Sequence, residues 1–228
     1  MNVLAIDTSN YVMGVAVISN GAVAGEYVTN IKKNHSIRLM PAIDQVMKDT
    51  GMNPSDLDRI AVAHGPGSYT GVRIGLTTAK TMAWSLGIPV VGVSSLEAVA
   101  RQGAFFQGYV CPFFDARRGL VYTGLYRADM TLEKDETNVL MEDWLHQLKE
   151  LDEPVLFLSQ DITVHKEKIV EILGDQAVLP NAPYHYARPA IIASVAEDKE
   201  PGPLHDLVPN YLRIPEAEAK WLEQQEKN

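Results

Sequence analysis

The 228-residue chain has one cysteine, no Gly-Gly pair, no apolar run approaching a membrane span, and fewer basic than acidic residues. Each shortage excludes something. A single cysteine rules out an internal disulfide framework and suits a reducing compartment. Cys111 lies in the apolar run Tyr109-Val110-Cys111-Pro112-Phe113-Phe114, where an inert, buried thiol is expected rather than a nucleophile. A membrane helix needs about 20 apolar residues, and the opening MNVLAIDTS has no basic segment ahead of its apolar stretch. A soluble, cytoplasmic protein with no membrane partner is therefore expected. The formal net charge of −9 argues against an unaided grip on nucleic acid, which depends on Lys and Arg neutralising several phosphates. Only local patches remain, Lys32-Lys33 with Arg38 and Arg117-Arg118 with Arg127. Solvated surface charge is the plainer account of each.

What is present is a repeated pattern. Residues 2–7, 11–18 and 22–29 read as three strands, and the apolar positions Leu39, Met40, Ile43, Val46 and Met47 predict a helix over 35–50 that stops at Gly51. Pro41 fits that helix in its first turn; otherwise the helix must begin later. A strand follows at 59–63, a glycine-rich loop at 64–71, a helix over 71–86 stopped by Gly87, a strand at 88–93 and a helix from Ser95. The second half again runs a buried strand (109–115) onto an aspartate, turns through Ala116-Arg117-Arg118-Gly119, and continues as 120–127. Helices near 141–151, 165–173 and 188–197 alternate with strands at 154–158 and 176–179, and 216–228 is a short charged tail. Two βββαβα-type halves, 1–102 and 103–228, predict an α/β protein with the duplicated actin-like, sugar-kinase and heat-shock ATPase (ASKHA) fold.

In that fold the first hairpin wraps a phosphate, which makes Asp7, Thr8 and Ser9 one candidate anion loop and Asp115-Ala116-Arg117 the other. Glycine normally stands two residues after the first aspartate so that backbone N–H groups can approach the anion. Here that residue is Ser9, and a purely structural turn is an equal reading. The purine pocket is built on paired glycines, which this chain lacks, and Gly174 and Gly202 read as a helix stop and a turn. The run His64-Gly65-Pro66-Gly67-Ser68-Tyr69-Thr70-Gly71 feeds a helix whose N-cap is Thr70 or Ser68, so Gly65, Gly67 and Ser68 are further anion candidates. The Lys-Ser/Thr of a P-loop is missing from it.

Five segments, LAIDTS, HGPGSYTGVRIG, IPVVGVSSLEAVA, FFDARRGLVYTGLY and the late YLR, together resemble the TsaB (YeaZ) family over nearly the whole chain. The resemblance implies a non-catalytic subunit that acts with its metal-bearing paralogue TsaD and the P-loop ATPase TsaE. Together these transfer the threonylcarbamoyl group from threonylcarbamoyl-AMP to N6 of adenosine 37 in tRNAs reading codons that begin with A. It implies no cofactor, contact with tRNA only through the complex, and a homodimer when the chain is alone. TsaD carries an HxxxH metal pair; through the shared Glu97, the matching positions here are Ser95 and Val99, and valine cannot be a ligand. The six histidines are each far from the next, so no sequence-local pair replaces it.

The resemblance also implies docking through the first two helices, carried by His35, Leu39, Met40, Ile43 and Met47 on one and by Arg73, Gly75, Thr77, Lys80 and Trp84 on the other. On the second helix Gly71, Gly75, Ala79 and Ala83 form a small-residue stripe, which by itself is most often core. Arg73, Thr77, Lys80 and Trp84 fall on another face, and a tryptophan among charges is a feature of interfaces. The rival expectations are an autonomous ASKHA kinase or ATPase, weakened by Ser9 and the missing glycine pair, and a metallopeptidase, which no HxxxH or HExxH supports.

Overall fold

The structure is a computed structural model that describes residues 1–31 and 34–212. Lys32, Lys33 and the charged tail expected at 216–228 lie outside the described residues. The first lobe comprises β1 (Asn2–Asp7), β2 (Met13–Ser19), β3 (Ala22–Thr29), α1 (His35–Asp49), β4 (Arg59–Ala63), α2 (Tyr69–Leu86) and β5 (Val90–Val93). Its sheet has the order β3-β2-β1-β4-β5, with β1–β3 antiparallel and β4 and β5 parallel to β1. The alternation of a strand's side chains explains the layers. Leu4 and Ile6 face α1 and α2 in one core, while Val3 and Ala5 face the opposite layer in another.

The second lobe repeats the plan with β6 (Tyr109–Asp115), β7 (Leu120–Tyr126), β8 (Leu132–Leu140), α4 (Met141–Lys149), β9 (Val155–Leu158), α5 (Ile162–Leu173) and β10 (Ala177–Val178), in the order β10-β9-β6-β7-β8. The strand β8 is absent from the sequence reading. Its LEKDETNVL is charged and nowhere fully buried, because it is an edge strand that only β7 pairs; edges are guarded by such charges, which erases the apolar alternation. Cys111 is fully buried and its sulfur accepts from Trp144 Nε1 at 3.3 Å; burial pushes the thiol up to about 11.

Two helices tie the lobes together. In α3 (Ser95–Ala100), Ala98 packs into the first lobe while Leu96, Val99 and Ala100 join a core with Val110, Phe114 and Leu158 of the second. The expected boundary at 102/103 falls between the two sheets, but α6 (Pro189–Asp198), expected within the second lobe, lies on the first. Its Ile192, Ala193, Val195 and Ala196 pack on Val3, Ala5, Ala61 and Ala63, where small strand residues let the helix approach closely. The chain then crosses the first lobe as an irregular strap. Lys80 Nζ donates to Leu207 O at 2.8 Å, Asn210 N donates to His64 O at 2.7 Å, and Leu204 and Leu207 pack against the first core.

Several expected interface residues turn out to be core. Leu39, Ile43 and Met47 are buried under α1, since the apolar stripe that makes the helix amphipathic is the stripe that seats it on β2. Pro41 sits inside α1, not in its first turn, and the helix still begins at His35. Both Pro41 and Ile37, whose carbonyl loses its helical donor, are exposed, so water can replace the missing bond. Gly75 faces inward as well. A Cβ there would lie 2.5 Å from Thr8 Oγ1 and 3.6 Å from Val62 Cγ2, so the stripe is an intramolecular contact. Gly75→Leu is therefore expected to destabilise the fold, with overpacking of ~1–3 kcal/mol outweighing a helix-propensity gain of ~0.5–1 kcal/mol. A thermal melt by circular dichroism checks this; an unchanged or higher midpoint would place Gly75 outside the core.

Candidate functional site

The hairpin that opens the chain is closed on itself. Asp7 Oδ1 accepts from Ser9 N at 2.8 Å and from Ser9 Oγ at 2.7 Å, and all three residues 7–9 are buried. Thr8 Oγ1 donates to Gly71 O at 2.7 Å, and Ser9 O accepts from Ser68 N at 2.6 Å. The glycine-rich loop thus lies directly on the hairpin, and side chains at Gly67 or Gly71 would run into the carbonyls of Ser9 and Thr8. Burial raises the Asp7 carboxyl above its ordinary value, against the lowering effect of the Ser9 hydrogen bonds and of nearby His35.

Ser68 is the N-cap of α2, its Oγ accepting from Gly71 N, and Gly87 ends the helix in the left-handed conformation. Gly65 is buried beneath the carbonyl of Asn210. Of the expected anion residues, only Gly67, Ser68 and Asp115 line the open cleft between the lobes, a cavity of about 740 Å³. Its other wall carries carboxylates. His165 Nε2 lies 2.9 Å from Asp115 Oδ1, Arg117 N donates to Asp115 Oδ2, and Asp161 Oδ2 accepts from Asp115 N at 3.0 Å. Burial, with some help from neighbouring Asp115, raises the Asp161 carboxyl. An anion in this cleft would meet the N-terminal end of α2 on one side and two aspartates with Arg117 on the other.

Ser95 and Val99, the positions that the resemblance matches to a metal pair, lie in the interior. Ser95 Oγ accepts from the Gly65 N–H at 3.2 Å, and Val99 lies in the core between the lobes. Among the described residues, no group of three or more His, Cys, Asp or Glu is placed to hold a metal ion.

A second concavity, about 490 Å³, runs between α1 and α2 and is lined by Leu39, Met40, Arg73 and Thr77 of the expected interface, with Tyr69 and Ile74 added. Trp84 continues this face and is 74% exposed; Met40 is 50% exposed. His35 falls elsewhere, on the cleft, with Nε2 2.7 Å from Asn10 O. Lys80 is turned away from the groove, onto the strap carbonyls of His205 and Leu207. The sequence reading missed Tyr69 and Tyr211. Their rings stack at 5.3 Å, Arg73 lies 4.0 Å over Tyr69, and Arg73 Nε donates to Tyr211 Oη at 2.7 Å. The late YLR segment was the available signal for Tyr211, but a separation of 138 residues hides its partner.

No helix among the described residues is long and apolar enough to cross a membrane. The family model described as "TsaD: tRNA N6-adenosine threonylcarbamoyltransferase" matches residues 23–166. The tRNA threonylcarbamoyladenosine biosynthesis protein TsaB of Bacillus subtilis (strain 168) is 52% identical over 228 residues, covering 99% of this chain and 100% of that protein. TsaB of Escherichia coli (strain K12) is 35% identical over 132 residues, 57% of this chain and 56% of that one. Among solved structures, YeaZ from Pseudomonas aeruginosa aligns with a TM-score of 0.75 at 26% identity, covering 92% of this chain and 99% of that one. The fold is two α/β lobes of the same plan, each a five-stranded sheet with helices, and the likeness to YeaZ runs over nearly the whole chain. With a relative of such identity spanning the whole chain, and a likeness to solved YeaZ over both lobes, this chain belongs to the TsaB (YeaZ) family of tRNA threonylcarbamoyladenosine biosynthesis proteins.

Proposed function

We propose that this chain serves tRNA threonylcarbamoyladenosine biosynthesis as a non-catalytic subunit that docks a TsaD-type, metal-bearing paralogue through the outer face of α1 and α2. The names of its relatives support the pathway. The observation that carries the docking reading is the groove: Met40, Arg73, Thr77 and Ile74 line it, and Trp84 stands 74% exposed on the same helix. An exposed tryptophan and an arginine on one face of a helix are residue types enriched at binding hot spots. In the absence of the partner, a second copy of the chain is the competing occupant. A TsaE-type ATPase and the tRNA join through the assembled complex, and the chemistry, attack of the adenine amine on a carbonyl with the adenylate leaving, belongs to the paralogue.

The non-catalytic part of the reading rests on the hairpin at residues 7–9. Asp7 is the residue an ASKHA kinase would turn toward metal and phosphate. Here its Oδ1 is bonded to Ser9 and the hairpin is packed under the first turn of α2, which accords with retention as structure.

Two substitutions test these statements. Trp84→Glu is expected to weaken partner binding by about 2 kcal/mol or more, roughly thirtyfold in Kd, and to shift self-association toward monomer, with the melting temperature kept. Calorimetry with the purified paralogue and light scattering read both; a variant indistinguishable from the parent in each would end the docking assignment. Asp7→Asn is expected to preserve threonylcarbamoyl transfer by the reconstituted complex, which mass spectrometry of the tRNA reads. Its stability should also follow pH in a set direction. A carboxyl raised by folding contributes stability at low pH that is lost as pH rises through the folded value. The parent should therefore gain on Asp7→Asn as pH falls from 7 toward 4, and a melting difference independent of pH would contradict the buried, raised carboxyl.

A further inference from the structure

We propose that the strap at residues 203–212 is a third element of the docking surface, and that Arg73, held between Tyr69 and Tyr211, receives a carboxylate from a helix of the partner. This inference rests on the docking reading above and adds to it a segment from the far end of the chain.

The strap runs along α2 in the opposite direction. Its Leu207 carbonyl is bound by Lys80, and its Tyr211 meets Tyr69 and Arg73 near the start of the helix. The outward ridge of α2, from Arg73 through Thr77 to Trp84, therefore has α1 and the groove on one flank and the strap on the other. Both flanks expose apolar side chains: Met40 and Ile37 on α1 at 50% and 71%, and Tyr211 and Val208 on the strap at 38% and 61%. Scattered exposed apolar residues are ordinary, but a set drawn from neighbouring elements around one ridge marks an interaction surface. Tyr69 joins the flanks, since it lines the groove and stacks on the strap.

Arg73 indicates the chemistry of the occupant. Tyr69 covers one face of its guanidinium and Tyr211 Oη takes Nε, while no carboxylate among the described residues pairs with it. A guanidinium already fixed in position loses little freedom on binding, and its fork geometry suits a carboxylate. The fitting partner is a helix with apolar side chains for the groove and one Asp or Glu opposite Arg73.

The experiment uses the full chain with its purified TsaD-type paralogue. A photo-crosslinking phenylalanine analogue at position 208, an exposed site whose change leaves the core alone, should give a covalent adduct with the partner on irradiation. Val208→Asp and Tyr211→Ala should each weaken binding about tenfold. Arg73→Glu should do the same and be restored by reversing the charge of one acidic residue on the partner. If Trp84→Glu abolishes binding while the strap variants bind like the parent and position 208 captures nothing, the strap inference fails and the docking reading stands. If Trp84→Glu is also without effect, the docking reading itself fails. An adduct formed only with a second copy of this chain would assign the strap to self-association and overturn the choice of partner.

Discussion

The seating of α2 on the first hairpin is the contact on which the other features depend. Ser9 O accepts from Ser68 N, Thr8 Oγ1 donates to Gly71 O, and glycines at 67, 71 and 75 let the two segments approach to backbone distance. A side chain at any of the three would press on residue 8 or 9. This contact fixes which side of α2 is inside. The stripe Gly71, Gly75, Ala79 and Ala83 is buried, so Arg73, Thr77 and Trp84 must face outward along the ridge beside α1. It also covers the hairpin, whose residues 7–9 are buried beneath the loop.

The remainder of the molecule holds the two lobes in one arrangement around that seat. The helix α3 serves both cores, α6 returns from the second half to cover the first sheet, and the strap crosses α2. A polar cluster reinforces the junction. Glu136 of β8 accepts from Tyr126 Oη at 2.6 Å and from Ser94 Oγ, and Asn210 Nδ2 of the strap reaches its other oxygen at 3.4 Å. Burial and the adjacent Glu136 carboxylate push the Tyr126 phenol strongly upward, so it stays a neutral donor. Glu97 is held by Lys199 and Arg101, which together keep its carboxyl below the ordinary range despite partial burial. Such cross-links hold the outer face of α1 and α2 in one arrangement, so a molecule binding there would not have to order it first.

Much of this was legible in the chain. The first three strands, the helix beginning at His35 and the stop at Gly87 could be drawn because period-2 and period-3.6 patterns and glycine stops are local signals. The doubling of strand, aspartate and turn at residues 7 and 115 foretold the architecture. The edge strand β8 was invisible for the opposite reason, since only an unburied strand can be that charged. At the site, the exposed face of α2 was readable from Trp84 and Arg73. Ile43, Met47 and Gly75, expected at the partner face, are buried, because amphipathic spacing shows that a helix has two faces without naming what covers each.

The sequence by itself determined most of the elements, their arrangement in two similar halves and the family, since these follow from residue type and short spacing. Only the tertiary structure decided that Ser9 is sealed under Ser68, that α6 belongs to the first sheet, and that Tyr211 stacks on Tyr69. Those contacts join residues between 59 and more than 180 positions apart. They depend on how close two backbones can come and on which surface remains uncovered once the chain has packed, and neither quantity is written in any local stretch of it.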